Sequence, residues 1–323
     1  MTQIVVVDIG GTHARFALAD VAGGQVRALG DVVTLQTADH ASFQTAWEAF
    51  AEHIGHLLPK AVGIAVAGPV DGDIIKFTNN PWILQPAQLP AQLQVDALTL
   101  VNDFGAVGHA VAQARPEHFL HLCGPEIDLP PTGTISVVGP GTGLGVSQVW
   151  GAGADYHVVP TEGGHADFAP LDAIEDEILT QLRKRYRRVS VERIVSGPGL
   201  VDIYQTLARI EGRAVQQLDD KALWALGMSG DDSLATAAIE RFCLSLGSVA
   251  GDIALTHGAS AVVIAGGLGL RLKEIILASG FAERFRAKGR FEVIMARLPV
   301  KLITHPQPGL FGAAAAFCRE HGI

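Results

Sequence analysis

The sequence predicts an α/β protein built from two related domains. Three observations carry that expectation. The chain has 323 residues, more than a single hydrophobic core usually organises. Short apolar runs of strand type alternate with segments of helical spacing. A unit of buried strand, glycine turn and returning strand occurs at the N-terminus and again about 130 residues later.

Gln3–Val7 reads as a buried strand and Arg15–Asp20 as its alternating partner. Only a glycine turn separates them, so they form a hairpin and not a strand–helix step. Helical spacing through Phe43, Trp47, Phe50, Ile54 and Leu57 makes Ala41–Leu58 a helix. Val62–Val66 and Leu98–Val101 are further strands, with Asp71–Gly72 a turn between short strands. Phe104–Ala114 is helical, and the Pro- and His-containing stretch Pro116–Pro131 reads as connecting structure. The opening pattern then returns: strand Thr134–Val138, glycine turn Gly139–Gly145, strand Val146–Trp150. Helices follow over Asp172–Arg188 and Leu234–His257, then a strand over Ala261–Ala265 with Gly266–Gly267 as another turn. Val300–Thr304 is the last strand and Gly309–Arg319 a closing helix.

Composition removes several classes of function. A formal charge of −9, from 24 Lys and Arg against 33 Asp and Glu, does not suit a broad nucleic-acid or acidic-membrane surface. No segment approaches the roughly 20 apolar residues of a membrane span. The N-terminal apolar run Ile4–Val7 meets Asp8 too soon for a signal peptide. Cys123, Cys243 and Cys318 are scattered, without zinc spacing, which suits a reducing compartment. The expected location is the cytoplasm.

The 37 glycines are clustered, and glycine lets backbone approach a ligand closely. The first cluster is Asp8-Ile9-Gly10-Gly11-Thr12-His13-Ala14-Arg15. Amides of such a turn can converge on an anion, Thr12 and Arg15 can add donors, and Asp8 can hold a magnesium-bound water. A plain tight hairpin gives the same pattern. The second, Gly139-Pro140-Gly141-Thr142-Gly143-Leu144-Gly145, repeats the geometry, so two loops can grip a polyphosphate. Val101-Asn102-Asp103-Phe104 places a carboxylate at a strand end, where α/β proteins place ligand groups; Asp103 can equally be a helix N-cap. Glu162-Gly163-Gly164-His165-Ala166-Asp167 can face a small polar ligand or be a surface turn. Glu192 can pair simply with Arg193, and Arg183–Arg188 reads as a solvated helix end. His53/His56 and His118/His121 read as surface histidines. Val262-Val263-Ile264-Ala265-Gly266-Gly267 suits either a flat ring approaching the backbone or a strand-to-helix turn.

In this order the motifs resemble the hexokinase branch of the actin-like ATPase superfamily, and within it the bacterial glucokinase family. VVDIGGTHARFAL resembles the first phosphate motif, VVGPGTGLGVS the second, LVNDFGAV the catalytic segment and AVVIAGGLG the adenosine motif. EGGHADFAP followed by SVERIVSGPGL is the most family-specific pair, and the likeness runs from Val5 to about Phe317. A related family of sugar kinases and repressors carries a cysteine-rich zinc motif that this chain lacks.

The resemblance implies a ribonuclease H-like, two-domain fold with its active site in the interdomain cleft. A small domain of residues 1–108, completed by 306–323, would face a large one of 109–305. It implies ATP, Mg2+ and glucose, with Asp103 the base at the sugar 6-hydroxyl. Asn79, Asn102, Glu162, His165 and Glu192 would bind the other hydroxyls. Asp8, Ile9, Gly10, Gly11, Thr12, Arg15, Gly141, Thr142, Gly143, Gly266 and Gly267 would take the nucleotide. Asn79 falls in Asn79-Asn80-Pro81-Trp82, where the family pattern varies. A homodimer is the implied assembly. A kinase for mannose or fructose, a non-catalytic sugar sensor and a chaperone-like ATPase are the rival readings.

Overall fold

Thr2–Ile9 forms β1, and its alternating side chains enter two different cores, as the two-residue strand period requires. Val5, Val7 and Ile9 join Phe43, Trp47 and Phe50, while Ile4 and Val6 join Leu310, Ala313 and Phe317. A strand apolar on both faces is therefore sandwiched between helices.

The computed structural model describes residues 1–77, 80–151 and 155–323. Two units emerge from its contacts: Met1–Arg115 with Gly151–Pro160 and His305–Ile323, and Pro116–Trp150 with Thr161–Thr304.

In the first unit β1 is followed by β2 (His13–Ala22), β3 (Gln25–Leu29), β4 (Val33–Gln36), α1 (Phe43–Ile54) and β5 (Ala61–Val66). Then come β6 (Ile75–Lys76), β7 (Ile83–Leu84), α2 (Leu89–Leu93), β8 (Ala97–Asn102) and α3 (Asp103–Gln113). The main sheet runs β3-β2-β1-β5-β8, with β4 also on β2. β1 and β2 are the expected antiparallel hairpin, whereas β1, β5 and β8 are parallel. α1 starts at a reciprocal Ser42/Thr45 capping box and stops at Gly55, so it is shorter than its apolar spacing predicts.

The second unit holds β9 (Phe119–Cys123), β10 (Thr134–Pro140) and β11 (Leu144–Trp150); β12 (His157–Thr161) spans the division. Helices α4 (Ala173–Arg183), α5 (Gly199–Ile210), α6 (Asp220–Ser229) and α7 (Ser233–His257) precede β13 (Ala259–Ile264). Short helices α8 (Gly266–Arg271), α9 (Lys273–Ala278), α10 (Phe281–Arg286) and α11 (Glu292–Met295) lead to β14 (Val300–Ile303), and α12 (Pro308–His321) returns to the first unit. The second sheet contains the order β11-β10-β13-β14-β9. Its hairpin followed by two parallel strands repeats β2-β1-β5-β8, so the duplication read from the sequence is also topological.

Other sequence expectations change. Pro116–Pro131 is not only connecting structure: Phe119–Cys123 is the edge strand β9, antiparallel to β14, and His121 on it is half-buried, not solvated. The helix expected over Asp172–Arg188 ends at Arg183, where Lys184 N–H bonds to Gln181 O and Arg185 N–H to Leu182 O in tighter i→i−3 turns, and the arginines beyond it have separate partners. Arg185 pairs with Asp202, and Arg188 pairs with Asp167 and donates to the His165 carbonyl. Gly266–Gly267 is the first turn of α8, a strand-to-helix turn.

The three cysteines are free, and burial pushes their thiols up, to about 11 for Cys123 and Cys318 and about 12 for Cys243. No helix among the described residues is long and apolar enough to cross a membrane.

His109 on α3 lies 2.9 Å from the Tyr156 hydroxyl. Burial, aided by repulsion from Arg319, lowers its pKa from 6.5 to about 4. Between those values the unfolded chain takes up a proton that the folded chain refuses. Stability is therefore expected to fall as pH drops from 6.5 towards 4. Urea unfolding at stepped pH should show a flatter acid limb for His109→Gln; an unchanged limb would assign the loss elsewhere.

Candidate active site

In the first unit, strand register brings two of the expected groups, and the residues after β5, to one end of the sheet. Ile9 is level with Val66 and Val66 with Asn102. The turn after β1, the residues after β5 and the start of α3 thus share the carboxyl end of the parallel strands, the usual ligand edge of such sheets.

At the first turn, Gly10 N–H closes the hairpin on His13 O at 2.9 Å. The Gly10 carbonyl accepts from Asn80 Nδ2 at 3.3 Å, the Gly11 carbonyl from the Thr37 hydroxyl at 3.2 Å and the Thr12 carbonyl from Thr37 N–H at 3.0 Å. The fold thus engages the carbonyls of Gly10, Gly11 and Thr12, while anion binding needs amides, of which Gly10 N–H already closes the hairpin. Thr12 Oγ1 lies 2.9 Å from His13 Nδ1. Asp8 and Arg15 face each other across the hairpin, with Nη1 3.3 Å from Oδ2. Burial pushes the Asp8 carboxyl above its ordinary value and Arg15 opposes that shift.

At the start of α3 the two polar residues divide the work. Asn102, not Asp103, is the N-cap: its Oδ1 accepts from Phe104 N–H at 2.9 Å and Gly105 N–H at 3.0 Å. Its Nδ2 donates to the Gly68 carbonyl at 3.1 Å. Asp103 is the first helical residue, partly exposed, with Oδ1 2.8 Å from Phe104 N. Asn102 therefore leaves one amide proton for a ligand. Asn79 lies outside the described residues. Its neighbour Asn80 links the Gly10 carbonyl to Trp82 N–H at 2.9 Å, a positioning role that only the distant hydrogen bond reveals.

The second unit carries the other expected residues. β10 and β11 run on to Pro140 and Leu144, so the second turn is only Gly141-Thr142-Gly143. Thr142 is exposed at its tip. Gly141 N–H donates to Gly143 O at 2.8 Å. Glu162 caps and His165 ends a turn of 3-10 helix, both exposed, with Oε2 and Nε2 3.8 Å apart. Glu192 does not pair with Arg193. Its Oε2 accepts from Leu144 N–H at 3.0 Å, while Arg193 stacks on the Tyr186 ring at 4.2 Å. Gly266 has φ +80°, and a Cβ there would lie 2.5 Å from Pro140 O. Only glycine lets α8 start this close to the end of β10. Beside Gly267 and Gly141 a Cβ would meet open space.

A sequence model of the glucokinase family matches residues 5–320. The chain belongs to the glucokinase family. It is 56% identical to a glucokinase of Zymomonas mobilis over 319 residues, covering 99% of this chain and 98% of that one. It is 41% identical to a glucokinase of Paramagnetospirillum magneticum, covering 97% of each chain. Among solved structures, a glucokinase from an Antarctic psychrotroph superposes with a TM-score of 0.86 at 32% identity, covering all of both chains. The fold is the actin-like ATPase fold of the sugar kinases, as expected from the motif order.

Proposed function

We propose that the chain is a glucokinase transferring the γ-phosphoryl group of ATP to the 6-hydroxyl of glucose, with Asp103 as the base. The observation that carries this reading is the division of labour at α3. Asn102 caps the helix, so Asp103 is not needed for that purpose, and its partly exposed carboxylate stands at the ligand edge of the sheet. Asp103 takes the hydroxyl proton as the sugar oxygen bonds to the γ-phosphorus and the bond to the ADP oxygen breaks. Asn79, Asn102, Glu162, His165 and Glu192 hydrogen-bond the remaining hydroxyls. A polar pocket of this kind discriminates strongly, because a missing hydroxyl leaves its groups unpaired.

The first turn, with Ile9, Gly10, Gly11, Thr12 and Arg15, and the second, with Gly141, Thr142 and Gly143, take the phosphates. Gly266 and Gly267 take the adenosine. Among the described residues no group of three or more His, Cys, Asp or Glu side chains could hold a metal ion. A single carboxylate balanced by Arg15 fits a contact through water, so Asp8 would hold Mg2+ in that manner while the nucleotide supplies the inner ligands. When bound, the ion neutralises phosphate charge. A cytoplasmic homodimer completes the proposal, to be checked by sedimentation and fractionation.

A matrix of donors (ATP, ADP, polyphosphate) against sugars (glucose, mannose, fructose), read by product formation, tests the reading. Glucose with ATP should lead. A leading mannose or fructose would shift the assignment to another hexose, and no transfer at all would favour a sensor. Within the pocket, Glu162→Gln and His165→Ala should each raise KM for glucose well above any change in KM for ATP. Equal changes for both substrates would remove these residues from the sugar.

A further inference from the structure

The second glycine turn and the two segments assigned to sugar form one bonded cluster inside the second unit. The segment Glu192–Gly197 holds the turn at both ends. Glu192 Oε2 accepts from Leu144 N–H at 3.0 Å, and Gly197 N–H donates to the Gly141 carbonyl at 2.8 Å. Gly197 is itself anchored, its carbonyl accepting from Trp224 Nε1 at 3.2 Å. Gly143 rests so close to the Glu192 carboxylate that a Cβ would overlap Oε2. The residues just before that segment, Val189–Val191, are stitched to the end of the Glu162–Asp167 loop and to Phe168 beyond it. Val191 N–H donates to Ala166 O at 2.9 Å, Phe168 N–H to Val189 O at 3.0 Å, and Asp167 bridges Ser190.

A carboxylate has about four acceptor positions. Leu144 uses one at Glu192, leaving others for sugar hydroxyls. Without those hydroxyls a negative group stands directly against the turn that is to receive a polyanion, and like charges disfavour one another. Hydroxyl donors would disperse that charge and fix the carboxylate against Leu144.

We infer that Glu192 is a positioning residue for the Gly141–Gly143 turn, so that its carboxylate couples sugar occupancy to nucleotide occupancy. This rests on the reading of Glu192 as a sugar ligand. The coupling is reciprocal, as linkage demands, and it arises within one unit of the chain.

The test is calorimetric titration of the Mg2+ complex of the β,γ-imido analogue of ATP, with and without saturating glucose. Wild type is compared with Glu192→Gln, which keeps the shape and an acceptor for Leu144 but removes the charge. In wild type, glucose should tighten nucleotide binding by about fivefold or more, within the usual range of such couplings. In Glu192→Gln, nucleotide should bind more tightly than wild type without glucose, and the glucose effect should fall below about twofold. Glucose affinity alone, titrated separately, should weaken. A variant that keeps the wild-type glucose effect on nucleotide overturns the coupling, even if glucose affinity has fallen. A variant with unchanged glucose affinity overturns the underlying sugar assignment. Absence of coupling in wild type overturns the inference directly. Glu192→Asp, which keeps the charge but shortens the reach, should keep the weak nucleotide binding of the sugar-free state; nucleotide binding as tight as in Glu192→Gln would refute the electrostatic account.

Discussion

Asp103→Asn should lower kcat by about 10²–10⁴-fold, the usual contribution of a general base, while leaving the fold and glucose binding in place. The amide keeps an oxygen for Phe104 N–H and the same volume, and the helix start does not depend on Asp103 because Asn102 carries the cap. What the amide lacks is proton affinity. Loss of a negative charge in the first turn of α3 should cost only about 0.3–1 kcal/mol of helix–dipole interaction. Turnover by coupled ADP release, a glucose titration and a thermal melt separate these effects. Near-normal turnover in the variant would exclude Asp103 as the base. Failure to bind glucose would make it a binding residue first.

The largest expected loss of stability lies at a buried ion cluster in the second unit. Glu175 on α4 is 1% exposed. It accepts from Leu171 N–H at 2.7 Å and from the Ser245 hydroxyl at 3.3 Å, and it lies 3.4 Å from Arg284 and 4.0 Å from Arg241. Asp172, the N-cap of α4, pairs with the same two arginines. Glu175→Ala would leave two largely buried guanidinium groups sharing one carboxylate. Breaking a buried pair from one side costs about 3–5 kcal/mol, read as a lower midpoint in urea. Glu175→Gln, which keeps an acceptor for Leu171, should lose less. If the alanine variant unfolds at the wild-type midpoint, the cluster is not stabilising.

Acid should act on the same cluster. Burial pushes the Asp172 carboxyl up, but the Glu175 backbone amide, Arg241 and Arg284 outweigh it and hold the pKa below its ordinary value. A depressed carboxylate contributes stability above its unfolded pKa and loses it as pH falls through the folded value. Leu171 lies four residues beyond Asp167, so this cluster also anchors the far end of the loop carrying Glu162 and His165.

Local chemistry was easy to read from the sequence. The β1–β2 and β10–β11 hairpins follow from apolar strands around glycines. Such signals involve residues adjacent in sequence, and the hydrophobic period and turn conformation act there directly. β9 was missed because an edge strand needs apolar alternation on one face only, and Pro116, His118 and His121 masked it. The Asp172–Arg188 helix was drawn too long because charge runs extend helical composition without extending helical hydrogen bonding. Gly68 carried no signal, and the roles of Asn80 and Gly197 could not be read from the motifs that hold them, since each acts through a bond to a residue far along the chain.

The sequence by itself determined the motif order, the duplicated hairpin and the candidate groups, because those depend on residue type and short spacing. Only the tertiary structure decided that Asn102 caps α3 in place of Asp103, that Arg188 holds the His165 loop, and that Glu192 turns to Leu144 rather than Arg193. Those choices rest on which backbone amides and carbonyls lie within about 3 Å of a side chain: the local start of α3 sets this for Asn102, and strand register and helix packing set it for Arg188 and Glu192, whose partners lie far along the chain.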